Sequence, residues 1–240
     1  MEVLPLKSRR LRSGSELVSA VVLALEHASL KLKSGDILVV ASKVLAYSQG
    51  RLRLVASDKA FRELVRAEAD RVLEEGAMVL TMKNKVLIPN AGIDRSNVPE
   101  GWVVLWPQDP FGSAEKIRQG LMKKYGLRKL GIVISDSHCQ PLRMGTSGIA
   151  IGWAGFEGVR DDRGAKDLYG RKMVYTQVAV ADNLASTANL EMGETNASVP
   201  FVLIREAKVA FTDAMASAAD YFISPKECIY RGLYGKLLKL

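Results

Sequence analysis

Apolar positions along the chain fall into two rhythms, one helical and one strand-like. Leu17, Val18, Val21, Val22 and Leu25, with Leu30 beyond them, recur at three- and four-residue spacing. They predict an amphipathic helix. Ser13-Gly14-Ser15 precedes it, which makes Ser15 the expected N-cap. Gly35-Asp36 then turns into Ile37-Leu38-Val39-Val40-Ala41, an uninterrupted apolar run of the kind that forms a strand covered on both faces. Asp58 to Glu74 reads as one charged helix with Phe61, Leu64, Val65, Val72 and Leu73 inward. Ala77 to Thr81 and Val86 to Ile88 read as strands joined by a turn at Lys83-Asn84-Lys85, and Trp102 to Leu105 as another.

The second half continues the alternation. Asp109-Pro110 places proline at the first position of a helix running to about Tyr125. Leu130-Gly131-Ile132-Val133-Ile134 is a short β-branched strand. Gly148 to Gly155 is apolar and punctuated by glycines, which allow a bulge or a close backbone approach. Gln177 to Leu190 predicts a small-residue helix stopped at Gly193, and Phe201 to Ile204 a last strand. Leu4-Pro5-Leu6 is a short extended start. Strands and helices alternate irregularly, with several strands adjacent, so the expected class is α+β rather than a doubly wound parallel sheet.

Polar islands interrupt this pattern where strands end. Ser42-Lys43 follows the Ile37–Ala41 run, a place where a hydroxyl and an ammonium meet a phosphate or simply form a surface turn. Asp94, Ser96 and Asn97 lie in the island from Pro89 to Pro99, and offer the oxygen ligands that hard cations prefer. The same composition forms an Asx turn. Ser135 to Gly145 brings a carboxylate, hydroxyl, imidazole, thiol and guanidinium directly after a strand, in Asp136, Ser137, His138, Cys139 and Arg143. Read alone, Asp136 and Ser137 either cap a turn or bind a ligand at the strand's carboxyl end. Glu194 is a third carboxylate, at the end of the small-residue helix. Brought together, Asp94, Asp136 and Glu194 would make an oxygen-rich site for Mg²⁺ or Mn²⁺, with Lys43 and Arg143 adding hydrogen bonds to a phosphate.

Composition narrows the field. The 240 residues are 48% hydrophobic and 25% charged, as in an ordinary globular protein. The net charge of +8 favours an anionic partner, yet no basic arm or nucleic-acid module pattern accompanies it. Nucleic acid therefore ranks last among the partners. Two cysteines, Cys139 and Cys228, make neither a disulfide framework nor a zinc spacing, and fit a reducing cytoplasm. The first residues lack a signal peptide's apolar core, and no apolar run reaches membrane-spanning length.

Several segments then resemble, in order, the γ-glutamyl ligases that complete the deazaflavin coenzyme F(420), the CofE family. They are Leu4-Pro5-Leu6, Asn90 to Asn97, Ser135-Asp136-Ser137, Pro141 to Gly145, Ile149 to Gly152, Arg163 to Arg171, Ala181 to Ala185 and Met192-Gly193-Glu194. The resemblance implies a two-lobed α+β fold with mixed or antiparallel sheets and packed helices. It implies a ligase domain over residues 1–210, with residues 211–240 as an extension packed on it, and a homodimer. It implies a GTP-dependent amide ligation with Mg²⁺ or Mn²⁺ at two sites, with K⁺ as a further cation. L-Glutamate would be joined through an acyl phosphate to an anionic acceptor such as the deazaflavin coenzyme. Carried over by motif, Asp94 and Asp136 would bind one metal, and Ser137 and Glu194 the second. Leu4, Pro5, Leu6, Lys7, Ser42, Lys43, Asn97, Met192 and Gly193 would hold the nucleotide. Arg143 would be the catalytic contact to the anionic substrate.

The chain departs from the family's pattern at a few positions. Ser137-His138-Cys139-Gln140-Pro141 stands where the family commonly has Thr-Phe-Gly-Arg-Pro, Tyr47 stands where a lysine is usual, and Asn84-Lys85 where His-Gly is usual. These touch the nucleotide and acceptor contacts rather than the metal carboxylates. A ligase with another acceptor or amine, and a nucleotide- or metabolite-binding paralogue without turnover, are the competing expectations.

Overall fold

The computed structural model describes residues 1–238, with side chains to residue 234. The last two residues of the expected 211–240 extension lie outside the described residues. In chain order the elements begin with β1 (Glu2–Leu6), α1 (Leu17–His27), β2 (Asp36–Ala41), α2 (Ser42–Ser48), β3 (Leu52–Leu54) and α3 (Asp58–Glu68). They continue with β4 (Arg71–Glu75), β5 (Val79–Lys83), β6 (Val86–Pro89), β7 (Trp102–Val104), α4 (Pro110–Tyr125) and β8 (Leu130–Cys139). The remainder are β9 (Thr146–Ala154), β10 (Val159–Asp161), β11 (Gln177–Ala179), α5 (Val180–Met192), β12 (Phe201–Arg205) and α6 (Arg231–Leu238). The fold is α+β, as the irregular alternation predicts.

The chain divides into two compact units. The first comprises Met1–Leu11, Glu16–Val44 and Asp109–Tyr221; the second comprises Arg12–Ser15, Leu45–Gln108 and Phe222–Leu240. The first unit is built on a mixed five-stranded sheet in the order β1-β12-β2-β8-β9. Only β2 and β8 pair in parallel; the other neighbours are antiparallel. Helix α5 packs on β8 and β9, α4 also packs on β8 and β9, and α1 packs on α4. Consecutive residues Ile37, Leu38, Val39 and Val40 are all fully buried, so both faces of β2 are covered. That is why this strand reads as a continuous apolar run. On one face Ile37, Val39, Val133, Val202 and Ile204 pack with Ala181, Leu184, Ala185 and Ala188 of α5.

The glycines of β9 explain how closely the helices sit. A Cβ on Gly148 would lie 2.3 Å from the Ala185 carbonyl oxygen, and one on Gly152 would lie 2.6 Å from the Pro110 carbonyl carbon. The sequence expectation of close backbone approach is therefore met at both ends of this strand.

In the second unit, β4, β5 and β6 form an antiparallel sheet, and β3 pairs with β7. Val65, Val79, Ala91, Ile93, Val103 and Leu105 make its core. The β5–β6 turn falls at Asn84-Lys85, both in the left-handed region (φ 47° and 66°), as a tight hairpin needs.

Several local expectations are corrected. The α1 cap is Glu16, not Ser15: its carboxylate accepts from the Val18 and Ser19 N–H groups, while the Ser15 hydroxyl accepts from Arg12 N–H. Helix α3 stops at Glu68, and Val72 and Leu73 belong to strand β4. Ala69 turns extended (ψ 140°), and the next residues gain a sheet partner in β5 that the isolated sequence does not reveal. Gln177–Ala179 is strand β11, paired with β10, so the small-residue helix starts at Val180. The short elements α2 and β3 lie where the sequence pattern predicts no helix or strand. Gly193 does end α5, and Asp109 and Pro110 do open α4.

Candidate active site

Strands β1 and β2 of the first unit finish at the same end of the sheet, and β8 passes that end and runs on to Cys139. Leu6, Phe201, Val40 and Ile134 stand side by side across β1, β12, β2 and β8. Because β1, β2 and β8 run in one direction, Lys7, Ser42-Lys43 and Asp136-Ser137 all emerge just beyond this row. Ala41 pairs directly with Ser135, which sets the residues that follow them side by side. Ligands commonly bind at the carboxyl ends of parallel strands in open sheets.

Helix α5 delivers a fourth group to that end. Its Asp182 accepts from the Ala150 N–H at 2.9 Å, and its Ala185 carbonyl faces Gly148. As the helix advances, β9 is met at earlier residues, so α5 runs in the direction of β8. Met192, Gly193 and Glu194 therefore lie towards the end where Asp136 emerges. The chain then enters β12 at Phe201, a member of the same row. Near this connection Ser8 N–H donates to the Ser198 carbonyl at 3.0 Å, tying the segment after Lys7 to the one after Glu194.

The reactive stretch is not a loop. Ser135 to Cys139 continues β8, paired with Ala150 to Thr146 of β9, after a register shift between Ile134 and Ser135. The extension comes from pairing with β9, which hydropathy does not report. The turn follows only at Gln140–Gly145, where Leu142 (φ 59°) and Gly145 (φ 87°) are left-handed. Arg143 lies exposed in this turn. Its N–H donates to the Gln140 carbonyl at 3.3 Å.

Each candidate carboxylate is held by a nearby donor. Asp136 Oδ1 accepts from Ser137 N–H at 2.9 Å. Glu194 Oε1 accepts from Asn189 Nδ2 at 3.0 Å. Asp94, in the second unit, accepts from Ser96 N–H at 2.6 Å and Ser96 Oγ at 2.9 Å, an Asx turn. Its backbone bridges to Val104. The loop before it is anchored by the buried Thr81 hydroxyl, which donates to the Ile88 carbonyl at 2.5 Å and accepts from Ala91 N–H at 2.9 Å. Asn97, also in the second unit, is left-handed (φ 55°), and its carbonyl accepts from the Tyr47 hydroxyl at 3.3 Å. Ser42 is buried, Leu6 is fully buried, and Pro5 and Lys7 are exposed.

The donors Asp94, Asp136, Ser137 and Glu194 are all oxygens, which suits a hard cation. Among the described residues, no three His, Cys, Asp or Glu side chains are grouped to hold a metal ion. Mg²⁺ needs no such cage: it commonly uses one or two carboxylates, with substrate phosphates and waters completing its shell.

Two further residues carry this end of the sheet and had no role in the sequence reading. Asp182 is half-buried; burial pushes its carboxyl up, partly offset by the Ala150 N–H and the nearby His138. Asn189 orients Glu194 from five residues away, a spacing that no sequence signal marks. His138 and Gln140 converge on one neighbour: His138 Nδ1 lies 3.1 Å from the Ser147 carbonyl, which only a donor satisfies, and Gln140 Nε2 donates to Ser147 Oγ at 3.3 Å.

Comparison with known proteins shows the family. The family model for F(420)-0:gamma-glutamyl ligase matches residues 5–206. The chain belongs to this family. It is 35% identical over 233 residues to the coenzyme F(420):L-glutamate ligase of Archaeoglobus fulgidus, covering 90% of this chain and 91% of that protein. It is 34% identical over 211 residues to the protein of the same name from Methanothermobacter thermautotrophicus, covering 80% and 83%. A third relative of that name, from Methanocaldococcus jannaschii, is 33% identical over 245 residues, covering 95% of each chain. The match to this γ-glutamyl ligase family spans every candidate site residue except Leu4, which immediately precedes it. Among the described residues, no helix is long and apolar enough to cross a membrane.

Proposed function

We propose that the chain is a cytoplasmic, homodimeric γ-glutamyl ligase that joins L-glutamate to the carboxylate of a coenzyme F(420) precursor, with GTP as the co-substrate. The observation that carries this reading is the convergence of Lys7, Ser42-Lys43, Asp136-Ser137 and Met192-Gly193-Glu194 at one end of the sheet, in a chain of the ligase family. The acceptor carboxylate would attack the γ-phosphorus of GTP, and GDP would leave. The α-amine of glutamate would then attack the acyl carbon, expel inorganic phosphate and lose its proton to solvent. Asp136 would hold one divalent ion, and Ser137 and Glu194 a second, and Asp94 would serve as a cation ligand. Bound there, Mg²⁺ or Mn²⁺ would offset the negative charge of the phosphates.

The chain's own groups would do the positioning. Lys7 and Lys43 would bind phosphate oxygens by charge-assisted hydrogen bonds, and the Ser42 hydroxyl would join them. Leu4, Pro5, Leu6, Asn97, Met192 and Gly193 would shape the nucleotide site. Arg143, exposed in the β8–β9 turn, would bind the anionic acceptor as a planar bidentate cation. Any role for K⁺ would be as a charge-balancing ion beside the phosphates.

Incubation with GTP, Mn²⁺, L-glutamate and the deazaflavin acceptor, followed by mass spectrometry, should show added glutamyl units. No product with either GTP or ATP would overturn the reading. The shared engagement of His138 and Gln140 by Ser147 favours a second reading, in which the same ligation serves a different carboxylate acceptor. Product from a metabolite pool, but none from the deazaflavin, would select it.

A further inference from the structure

We infer that Asn189 is the positioning residue that aims Glu194 at its ligand. The inference rests on the proposed role of Glu194 in holding a divalent cation. Asn189 lies three residues before the end of α5, and its side-chain Nδ2 donates to Glu194 Oε1 at 3.0 Å. The carboxylate only accepts, so the amide nitrogen is the group that faces it. Its main chain takes part as well: the Gly193 N–H donates to the Asn189 carbonyl at 3.0 Å. One residue thus holds the chain on both sides of the helix stop.

Gly193 makes the contact reachable. Its backbone (φ 65°, ψ 171°) lies where a side chain is strained, and it turns residue 194 away from the helix axis. Glu194 is exposed and carries three rotatable bonds, so an unheld carboxylate would lose entropy when it bound an ion. Asn189 bears part of that ordering in advance. It fixes the carboxylate through Oε1. Asp136 is oriented by the next residue's N–H and Asp94 by Ser96 two residues on. Glu194 draws instead on a side chain of the preceding helix turn. Such outer partners commonly alter metal affinity by one to two orders of magnitude when removed.

The test is Mn²⁺ titration of the full-length protein saturated with GTP, with free Mn²⁺ read by electron paramagnetic resonance. Asn189→Ala should weaken Mn²⁺ binding about tenfold. Asn189→Asp, similar in shape but of like charge to Glu194, should weaken it further. Glu194→Gln should weaken it at least as much as Asn189→Ala, and the double variant no more than Glu194→Gln alone. A general structural role would not produce that non-additivity. Wild-type Mn²⁺ affinity in both Asn189 variants, with loss in Glu194→Gln, would overturn the inference alone. Unchanged affinity in Glu194→Gln would refute the ligand role of Glu194, and the inference with it. If Asn189→Ala does not fold, Asn189→Asp and its double variant with Glu194→Gln decide by the same criteria.

Discussion

Ala150 donates its backbone N–H to Asp182 Oδ1 at 2.9 Å, joining strand β9 to the first turn of helix α5. Together with the packing of Gly148 against Ala185, this bond holds the helix whose far end carries Glu194. It joins β9 directly opposite Ser135, one residue before Asp136.

Asp182→Ala should therefore destabilise the protein by about 1–3 kcal/mol, because the Ala150 N–H loses its acceptor. Asp182→Asn keeps an acceptor oxygen and should lose less. The two variants also separate in pH. Burial, the larger effect, raises the Asp182 carboxyl above its ordinary value of 3.8, despite the Ala150 N–H and His138. The folded state then binds a proton that the unfolded state has released. Its contribution is full below the ordinary value and is lost as pH rises through the folded one. Urea midpoints should show wild type losing stability relative to Asp182→Asn as pH rises from about 4, with a constant difference above the folded pKa. A pH-independent difference would refute the assignment.

Gly148→Ala tests the same interface by packing. Its new Cβ would meet the Ala185 carbonyl at 2.3 Å, backbone against backbone, so neither partner moves aside easily. The expected loss is about 1–3 kcal/mol. For a chain of this size that lowers the thermal midpoint by roughly 2–4 °C per kcal/mol. A midpoint equal to wild type would show that α5 does not bear on β9 as closely as described.

The parts of this architecture that sequence made legible are those with a local cause. Ile37–Ala41 is apolar on both faces, Pro110 and Gly193 punctuate their helices, and Asn84-Lys85 sits between two alternating runs. What was hidden depends on partners. Ser135–Cys139 reads as a reactive loop until β9 pairs with it, and Val72, seven residues after Val65, fits a helix until β5 claims it. Helix α2, of seven residues, is too short to show a period. The site was visible as separate islands, since strand ends expose polar groups in any fold. The parallel pairing of β2 with β8, which sets Ser42 and Asp136 at one end, has no signature in either segment. Asp94 shows the converse: the oxygen chemistry that suits a cation also suits the Asx turn it makes with Ser96.

Glu16 supplies a second pH-dependent contribution to stability at the opening of α1. Burial raises its carboxyl, but hydrogen bonds from the Ser19 side chain and from the Ser19 and Val18 N–H groups outweigh it, so its pKa is lowered from 4.5. Stability from such a carboxylate is present above the ordinary value and lost as pH falls through the folded one. Glu16→Ala should cost about 1 kcal/mol at neutral pH, as loss of an N-cap does. The gap to wild type should close below pH 4.5 in chemical denaturation. A gap that widens on acidification would contradict the capping role.

Tyr47 offers a functional prediction within the second unit. Its hydroxyl donates to the Asn97 carbonyl at 3.3 Å, and Asn97 holds a left-handed backbone (φ 55°). A non-glycine residue in that region persists because its surroundings hold it. If Asn97 contacts the nucleotide, Tyr47→Phe removes one support from the nucleotide loop without touching the carboxylates. Loss of one neutral hydrogen bond is worth about 0.5–1.5 kcal/mol, or roughly a 2- to 10-fold change in an equilibrium constant. The expected result in steady-state assays is a KM for GTP raised by that factor, with kcat and the KM for glutamate unchanged. A fall in kcat at constant KM would place Tyr47 in the chemical step instead, and unchanged kinetics would remove the loop support from the account of nucleotide binding.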